Sequence, residues 1–214
     1  NLVVEDCNGQ RLHWDRDPTQ VDRLTLTVPD GCGTIDVKAD YIASQPSVNS
    51  RSSDSYGRAR FGAINFNTLL IYPAHLGTQE VNISPVVMMP KGWKAACALP
   101  FKTQSTRSGE ALVFLARPAL PELIDSPMIM GENLSTVELA TPQGVAPHTF
   151  HVAANEAKHT EVPKSLVTQM EALVRESVAL FGSYPRSVYR FLIMAGDGMG
   201  WGLEHSESTF VGVE

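Results

Sequence analysis

A mostly-β chain with an α/β carboxy-terminal part is the fold class this sequence predicts, and three observations carry it. From Asn1 to about Phe150, short runs of alternating or β-branched residues are broken by turn residues, as in antiparallel strands. After Pro163, apolar residues recur at three- and four-residue steps, as in an amphipathic helix. A strongly apolar run, a glycine-rich loop and a second strand-like run then follow. These place an antiparallel, sandwich-like β-domain over residues 1–155 and a second unit over residues 156–214.

The first strand expected, Leu24 to Val28, is stopped by Pro29-Asp30-Gly31, and Thr34 to Ala39 follows. Asn67 to Tyr72 reads as a strand ending at Pro73, and Val81 to Met89 as one closed by Pro90-Lys91-Gly92. Leu112 to Ala116, Val137 to Ala140 and His148 to Ala153 are the remaining β runs. Ser44 to Arg58 is rich in Ser, Asn and Asp with too few apolar residues to bury, and predicts an exposed loop. Pro163 sits where a helix begins, because its missing N–H costs nothing in the first turn. The helix predicted over 163–181 has Leu166, Met170, Leu173, Val174, Ser177, Val178 and Phe181 on one face, and Gly182 stops it. Residues 187–195 then read as a strand, 196–202 as a glycine loop, and about 202–213 as an edge strand.

Composition narrows the function. The 17 basic and 23 acidic residues leave a net charge of -6 with the cations scattered singly, so the clustered positive footprint of a nucleic-acid binder is missing. Val188 to Ala195 is far short of the roughly 20 apolar residues a bilayer-crossing helix needs, and Arg190 interrupts it. Cys7, Cys32 and Cys97 are too few for a disulfide scaffold. One bridge plus a thiol, or three buried thiols, are both open.

Motif scanning removes the common chemistries. The glycine loop lacks the third glycine of a dinucleotide fingerprint, since Trp201 stands there, and it lacks the Gly-Lys-Ser/Thr of a P-loop. No Gly-x-Ser-x-Gly elbow and no His-Glu-x-x-His occurs. The inverted zinc motif nearly forms at residues 201–205, but Trp201 occupies its first ligand position and cannot bind metal. His148 and His151, three apart on a strand, point to opposite faces.

What remains is Gly202-Leu203-Glu204-His205 at the rim of an apolar strand. With Phe181-Gly182-Ser183-Tyr184-Pro185, Tyr189-Arg190-Phe191 and Ser208 around it, this pattern resembles the glycyl aminopeptidase family of gluzincin metallopeptidases. Pro90-Lys91-Gly92-Trp93-Lys94, Ala98-Leu99-Pro100 and Leu123-Ile124-Asp125-Ser126-Pro127 with Gly131 fit as well, so the resemblance spans most of the chain. It implies a β-domain, short of its first strands, before the start of a thermolysin-like catalytic domain. The His-Glu-x-x-His helix is expected beyond Glu214, zinc in the full-length enzyme and none in this chain.

The resemblance also assigns roles. A peptide's α-amine is mostly an ammonium at neutral pH, so an exopeptidase needs a fixed carboxylate at that end of its cleft, and Glu204 is the candidate. Gly202 lets a substrate backbone approach and pair with the strand. Leu203 turns to the buried side, and His205 either lines the cleft or orients Glu204. Trp201 replaces a common glycine, and its indole is expected to narrow or cover the first pocket. Peptides with N-terminal Gly or Ala are the implied substrates, and the remainder of the catalytic domain the implied partner. The 214-residue chain alone is expected to be inactive. Its helix from Pro163 and strand from Ser187 are expected to self-associate through uncovered apolar faces. Asp125-Ser126-Pro127 reads as a turn. The rival reading is a non-catalytic β-rich module binding a peptide or protein along an exposed strand edge.

Overall fold

The computed structural model describes residues 1–40, 42–43, 55–182 and 186–214. The described chain divides into two compact units, Asn1–Ile42 and Ala43–Glu214. The first holds two antiparallel pairs, β1 (Leu2–Asp6) with β4 (Ile35–Ala39) and β2 (Trp14–Arg16) with β3 (Leu24–Leu26). Cys7 and Cys32 form a disulfide, and Cys97 in the second unit is a free, buried thiol. Of the two cysteine readings left open, one bridge plus a thiol is the outcome.

The second unit begins with β5 (Tyr56–Gly57) and β6 (Phe61–Ile64), then β7 (Val86–Met89), β8 (Lys94–Cys97), β9 (Phe101–Ser105) and β10 (Glu110–Phe114). A short helix α1 (Leu120–Ile124) leads into β11 (Met128–Gly131). Antiparallel sheets form in the orders β7-β10-β9 and β5-β6-β11-β8. Val87, Met89, Leu112 and Phe114 from one sheet meet Cys97, Met128 and Met130 from the other in one core, with Phe66, Leu99 and Leu123. Each such side chain contributes about 1.5–3 kcal/mol relative to remaining exposed.

Three sequence expectations are corrected here. Asn67 to Tyr72 is not a strand: residues Phe66–Thr68 form a 3-10 turn, in which the Thr68 hydroxyl donates to the Asn65 carbonyl at 2.8 Å. Such local side-chain bonds compete with strand pairing. The run Val81 to Met89 pairs as a strand only over Val86–Met89, with one isolated bridge at Asn82. The loop expected over Ser44 to Arg58 lies outside the described residues from 44 to 54, and of its end only Gly57 is exposed. Ser55 and Tyr56 are buried, and Ser55 Oγ bonds to the Asn65 backbone.

The carboxy-terminal sheet is mixed, in the order β12 (Asn133–Leu139), β13 (His148–Ala154), β14 (Tyr189–Ala195), β16 (Ser208–Val213), β15 (Trp201–Glu204). β13, β14 and β16 run parallel, while β12 and β15 are antiparallel edges. The parallel β13–β14 step needs a long crossover, and α2 (Lys164–Phe181) supplies it. Pro163 takes its cap position and Gly182, at φ +86°, ends it.

Both faces of this sheet are covered, which is why β14 reads as a continuous apolar run. Leu192, Met194 and Phe210 meet Tyr56, Phe61, Ala63, Ala96 and Ile129 on one side. On the other, Phe150, Val152 and Ile193 pack on Leu166, Val167, Met170 and Val174 of α2. The predicted helix face is buried only in part: Leu173 is 52% and Phe181 82% exposed. Beside them a cavity of about 600 Å³ opens between α2 and the sheet, lined by His148, Val178, Tyr189, Phe191 and Thr209 among others. The sheet does not change at residue 155, because β12 and β13 pair directly with the strands that follow. The edge strand read over 202–213 is instead the β15–β16 hairpin.

Candidate functional site

Glu204 closes β15, the outermost strand of the mixed sheet, and among the described residues only β16 pairs with it. The register sets Trp201 opposite Gly212, Gly202 opposite Val211, Leu203 opposite Phe210 and Glu204 opposite Thr209. Directly opposed residues share a face and successive residues alternate. Trp201 and Leu203 therefore turn toward the core of Phe210, while Gly202 and Glu204 stand on the face of Val211 and Thr209. Gly202 and Glu204 are exposed, whereas Trp201 and Leu203 are half-buried. Glu204's carboxylate has no ion-pair or hydrogen-bond partner among the described residues.

Gly202 has an ordinary strand conformation. A Cβ there would meet only Val211 Cγ2, at 3.8 Å, a normal contact. The fold therefore leaves room for a side chain at this position, and the space beside its Cα opens outward. Gly212 is the reverse case: a Cβ would stand 2.8 Å from Trp201 Cε2 and Nε1 and 3.1 Å from Met199 Cβ. The missing side chain at 212 is what leaves room for the indole against β16.

Trp201 packs edge-on against Phe210 at a centroid distance of 4.6 Å, a geometry worth about 0.5–1.5 kcal/mol beyond area burial. Its Nε1–H is buried without an acceptor among the described residues. The indole thus fills the core side of the edge strand, opposite to Glu204.

The glycine loop before β15 is held from the β5–β6 hairpin. Arg58 donates to the Asp197 carbonyl at 2.6 Å, and the Tyr56 hydroxyl donates to the sulfurs of Met194 and Met199 at 3.0 and 3.4 Å. Gly198, at φ +76°, makes the turn, and Gly196 N–H donates to the Val213 carbonyl at 2.9 Å. Met199 is buried, so the loop enters β15 from a packed anchor.

The other end of β15 is fixed by a residue 80 positions earlier in sequence. Asp125 follows α1, where Ser126 Oγ–H donates to the Glu122 carbonyl at 2.8 Å, so a turn does form there. The Asp125 carboxylate also receives Ser206 N–H at 2.9 Å and faces His205 Nδ1 at 3.1 Å. A carboxylate only accepts, so His205 donates from Nδ1. Its Nε2 is buried without a partner among the described residues. His205 is therefore held by Asp125 and not by Glu204. Nothing local in the sequence signals this pair beyond the Asp-Ser-Pro turn.

His148 and His151 are both buried and lie on opposite faces. His148 stacks near Tyr189 at 5.4 Å. His151 Nδ1 faces Thr136 Oγ1 at 3.0 Å and Nε2 faces Thr149 Oγ1 at 3.1 Å, while Arg190 donates to Thr149. Burial, and then the Arg190 cation, push the His151 pKa down to about 4, so the ring is neutral. Among the described residues no group of three or more His, Cys, Asp and Glu is arranged to hold a metal ion. The resemblance places the zinc ligands outside this chain, and no described residue is assigned to a metal.

Solved structures share this fold. An aminopeptidase N family protein from Idiomarina loihiensis is 23% identical with a TM-score of 0.68, over 99% of this chain and 33% of that one. An M1 zinc metallopeptidase from Deinococcus radiodurans is 17% identical with a TM-score of 0.55, over 99% of this chain and 52% of that one. A variant from the same organism bound to a Tyr-Ser-Ala substrate is 16% identical with a TM-score of 0.53, over 98% and 51%. The chain thus spans between a third and about half the length of these structures. No curated protein sequence matches it. Residues 1–132, more than half of the chain, match the Peptidase M61 N-terminal domain, in accord with the gluzincin aminopeptidase resemblance, and the chain belongs to the peptidase M61 family.

Proposed function

We propose that this chain is part of a zinc-dependent aminopeptidase and that it supplies the anchor for the substrate's amino terminus. The observation that carries the reading is the pairing of Gly202 and Glu204 on the open side of an edge strand whose fold needs no glycine at position 202. A peptide added antiparallel along β15 would bond through its backbone. Its α-ammonium would then meet the Glu204 carboxylate in a charge-assisted hydrogen bond. The strand is fixed at both ends, by Arg58 and Tyr56 before it and by Asp125 after it. Rigidity of this kind is what makes an anchor useful to catalysis. The fold shared with metallopeptidases, one of them bound to a tripeptide, supports the same reading.

The catalytic-domain sheet begins, on this proposal, at Asn133 and not near residue 155. That is where the match to the N-terminal domain ends and the mixed sheet starts. Zinc belongs to the whole protein and would polarise the scissile carbonyl and activate water there. Substrates with N-terminal Gly or Ala remain the proposed class. Trp201 faces the core and its bulk supports the strand, leaving the space beside Glu204 open.

In the full-length protein, Glu204→Ala should lower kcat/KM for an aminoacyl reporter on the order of 100-fold, the cost of losing one charged hydrogen-bond partner. A loss under about threefold would overturn the anchor role.

A further inference from the structure

We infer that Asp125 is a positioning residue for substrate recognition, acting on Glu204 through the turn that follows it. This rests on the reading of Glu204 as the amine anchor. β15 is four residues long and has a single neighbour among the described residues, so its last residue is set by β16 and by the turn over residues 205–207. Within that turn, His205 N–H donates to the Ser208 carbonyl at 2.8 Å. The end of the turn is held at Glu207, whose carbonyl accepts from Arg190 N–H at 3.0 Å and whose carboxylate accepts from Ser187 Oγ–H at 3.4 Å. Its beginning is held by Asp125, whose two carboxylate oxygens receive Ser206 N–H at 2.9 Å and His205 Nδ1–H at 3.1 Å.

The geometry suits this role better than a purely local one. The two bonds hold consecutive residues, and the first of them, His205, directly follows Glu204. The His205 side chain is 10% exposed, so the imidazole is a packed lever and not a loose contact. Asp125 is itself held by the α1 turn: its own N–H donates to the Pro121 carbonyl at 3.2 Å, and Ser126 N–H donates to Leu123 at 3.1 Å. Pro127 and Met128, which follow, are fully buried. A rigid turn on the β5-β6-β11-β8 side of the unit is thereby fastened to the last residues of the substrate edge. Removing the carboxylate frees the first half of the turn, at His205 and Ser206, and lets Glu204 shift along or away from the cleft. A displacement near 1 Å costs on the order of 100-fold when geometry limits the reaction.

The test is a double-mutant cycle in the full-length protein, with Asp125→Ala, Asp125→Asn, Glu204→Gln and the doubles Asp125→Ala/Glu204→Gln and Asp125→Asn/Glu204→Gln. It is read as kcat/KM on an aminoacyl reporter, with ¹⁵N NMR of the His205 ring as a second readout. Asp125→Ala should cost about 10- to 100-fold in the wild-type background and under threefold in the Glu204→Gln background. Asp125→Asn, which keeps one acceptor, should fall between wild type and Asp125→Ala, and in Asp125→Ala the His205 ring should lose its fixed Nδ1–H tautomer. If Asp125→Ala does not fold, Asp125→Asn and its double carry the same comparison. Equal losses in both backgrounds would overturn the positioning role while leaving the anchor intact. An unaffected Glu204→Gln enzyme would remove the anchor, and the coupling with it. An unchanged His205 tautomer in Asp125→Ala would show that the clamp does not exist in solution.

Discussion

Gly202 and Gly212 face each other's strands at nearly the same height, yet alanine should act on them in opposite ways. At 212 the new Cβ would stand 2.8 Å from two atoms of the Trp201 indole and 3.1 Å from Met199 Cβ. The ring must swing away from Phe210, and overpacking of this kind costs about 1–3 kcal/mol. At 202 the nearest atom would be 3.8 Å away and the strand φ is ordinary, so Gly202→Ala should be neutral or stabilise by about 0.4–1 kcal/mol through the unfolded chain. Activity should move the other way, because the added methyl occupies the space through which a substrate backbone approaches β15. The assay pairs urea unfolding with kcat/KM on an aminoacyl reporter, both in the full-length protein. Gly202→Ala should unfold at the wild-type midpoint or later and lose about tenfold or more in kcat/KM. A Gly202→Ala enzyme with full activity would refute the inference that the open side of this glycine serves a ligand.

Two further outcomes follow from buried and exposed groups away from the edge. His151 is neutral in the fold, with its pKa pushed down from 6.5 to about 4, so the unfolded chain takes up its proton first as pH falls. Stability from this residue is full above about pH 6.5, declines from there to pH 4 and totals about 3 kcal/mol. His151→Gln should flatten that part of the stability-versus-pH curve, and an unchanged curve would contradict the burial argument. Leu173, Leu180 and Phe181 are 52%, 75% and 82% exposed on one helix. The 214-residue chain should therefore show concentration-dependent sedimentation, which Leu180→Glu with Phe181→Glu should abolish. A monomer at all concentrations would contradict it.

What could be read from sequence is what local chemistry decides. The α2 limits followed from Pro163 and Gly182, and the β14 core from its apolar run. Mixed-sheet membership was not legible, because Asn133–Leu139 and His148–Ala154 look like any antiparallel pair until β14 joins them in parallel. The hairpin inside 202–213 was missed because its turn, His205-Ser206-Glu207, carries no glycine or proline. A carboxylate from residue 125, not a turn residue, stabilises it. The side that Trp201 takes was not legible for a related reason: alternation gives two faces, and the Gly212 opposite it shows which one accepts the indole.

The amine anchor is tested most directly by the ratio of affinities for a dipeptide inhibitor and its des-amino analogue, measured on the full-length protein and on Glu204→Gln. The wild-type protein should prefer the amine by about 10- to 100-fold, the worth of one charge-assisted hydrogen bond, and Glu204→Gln should lose most of that preference. An undiminished preference in Glu204→Gln would place the amine elsewhere and contradict the role given to the β15 edge.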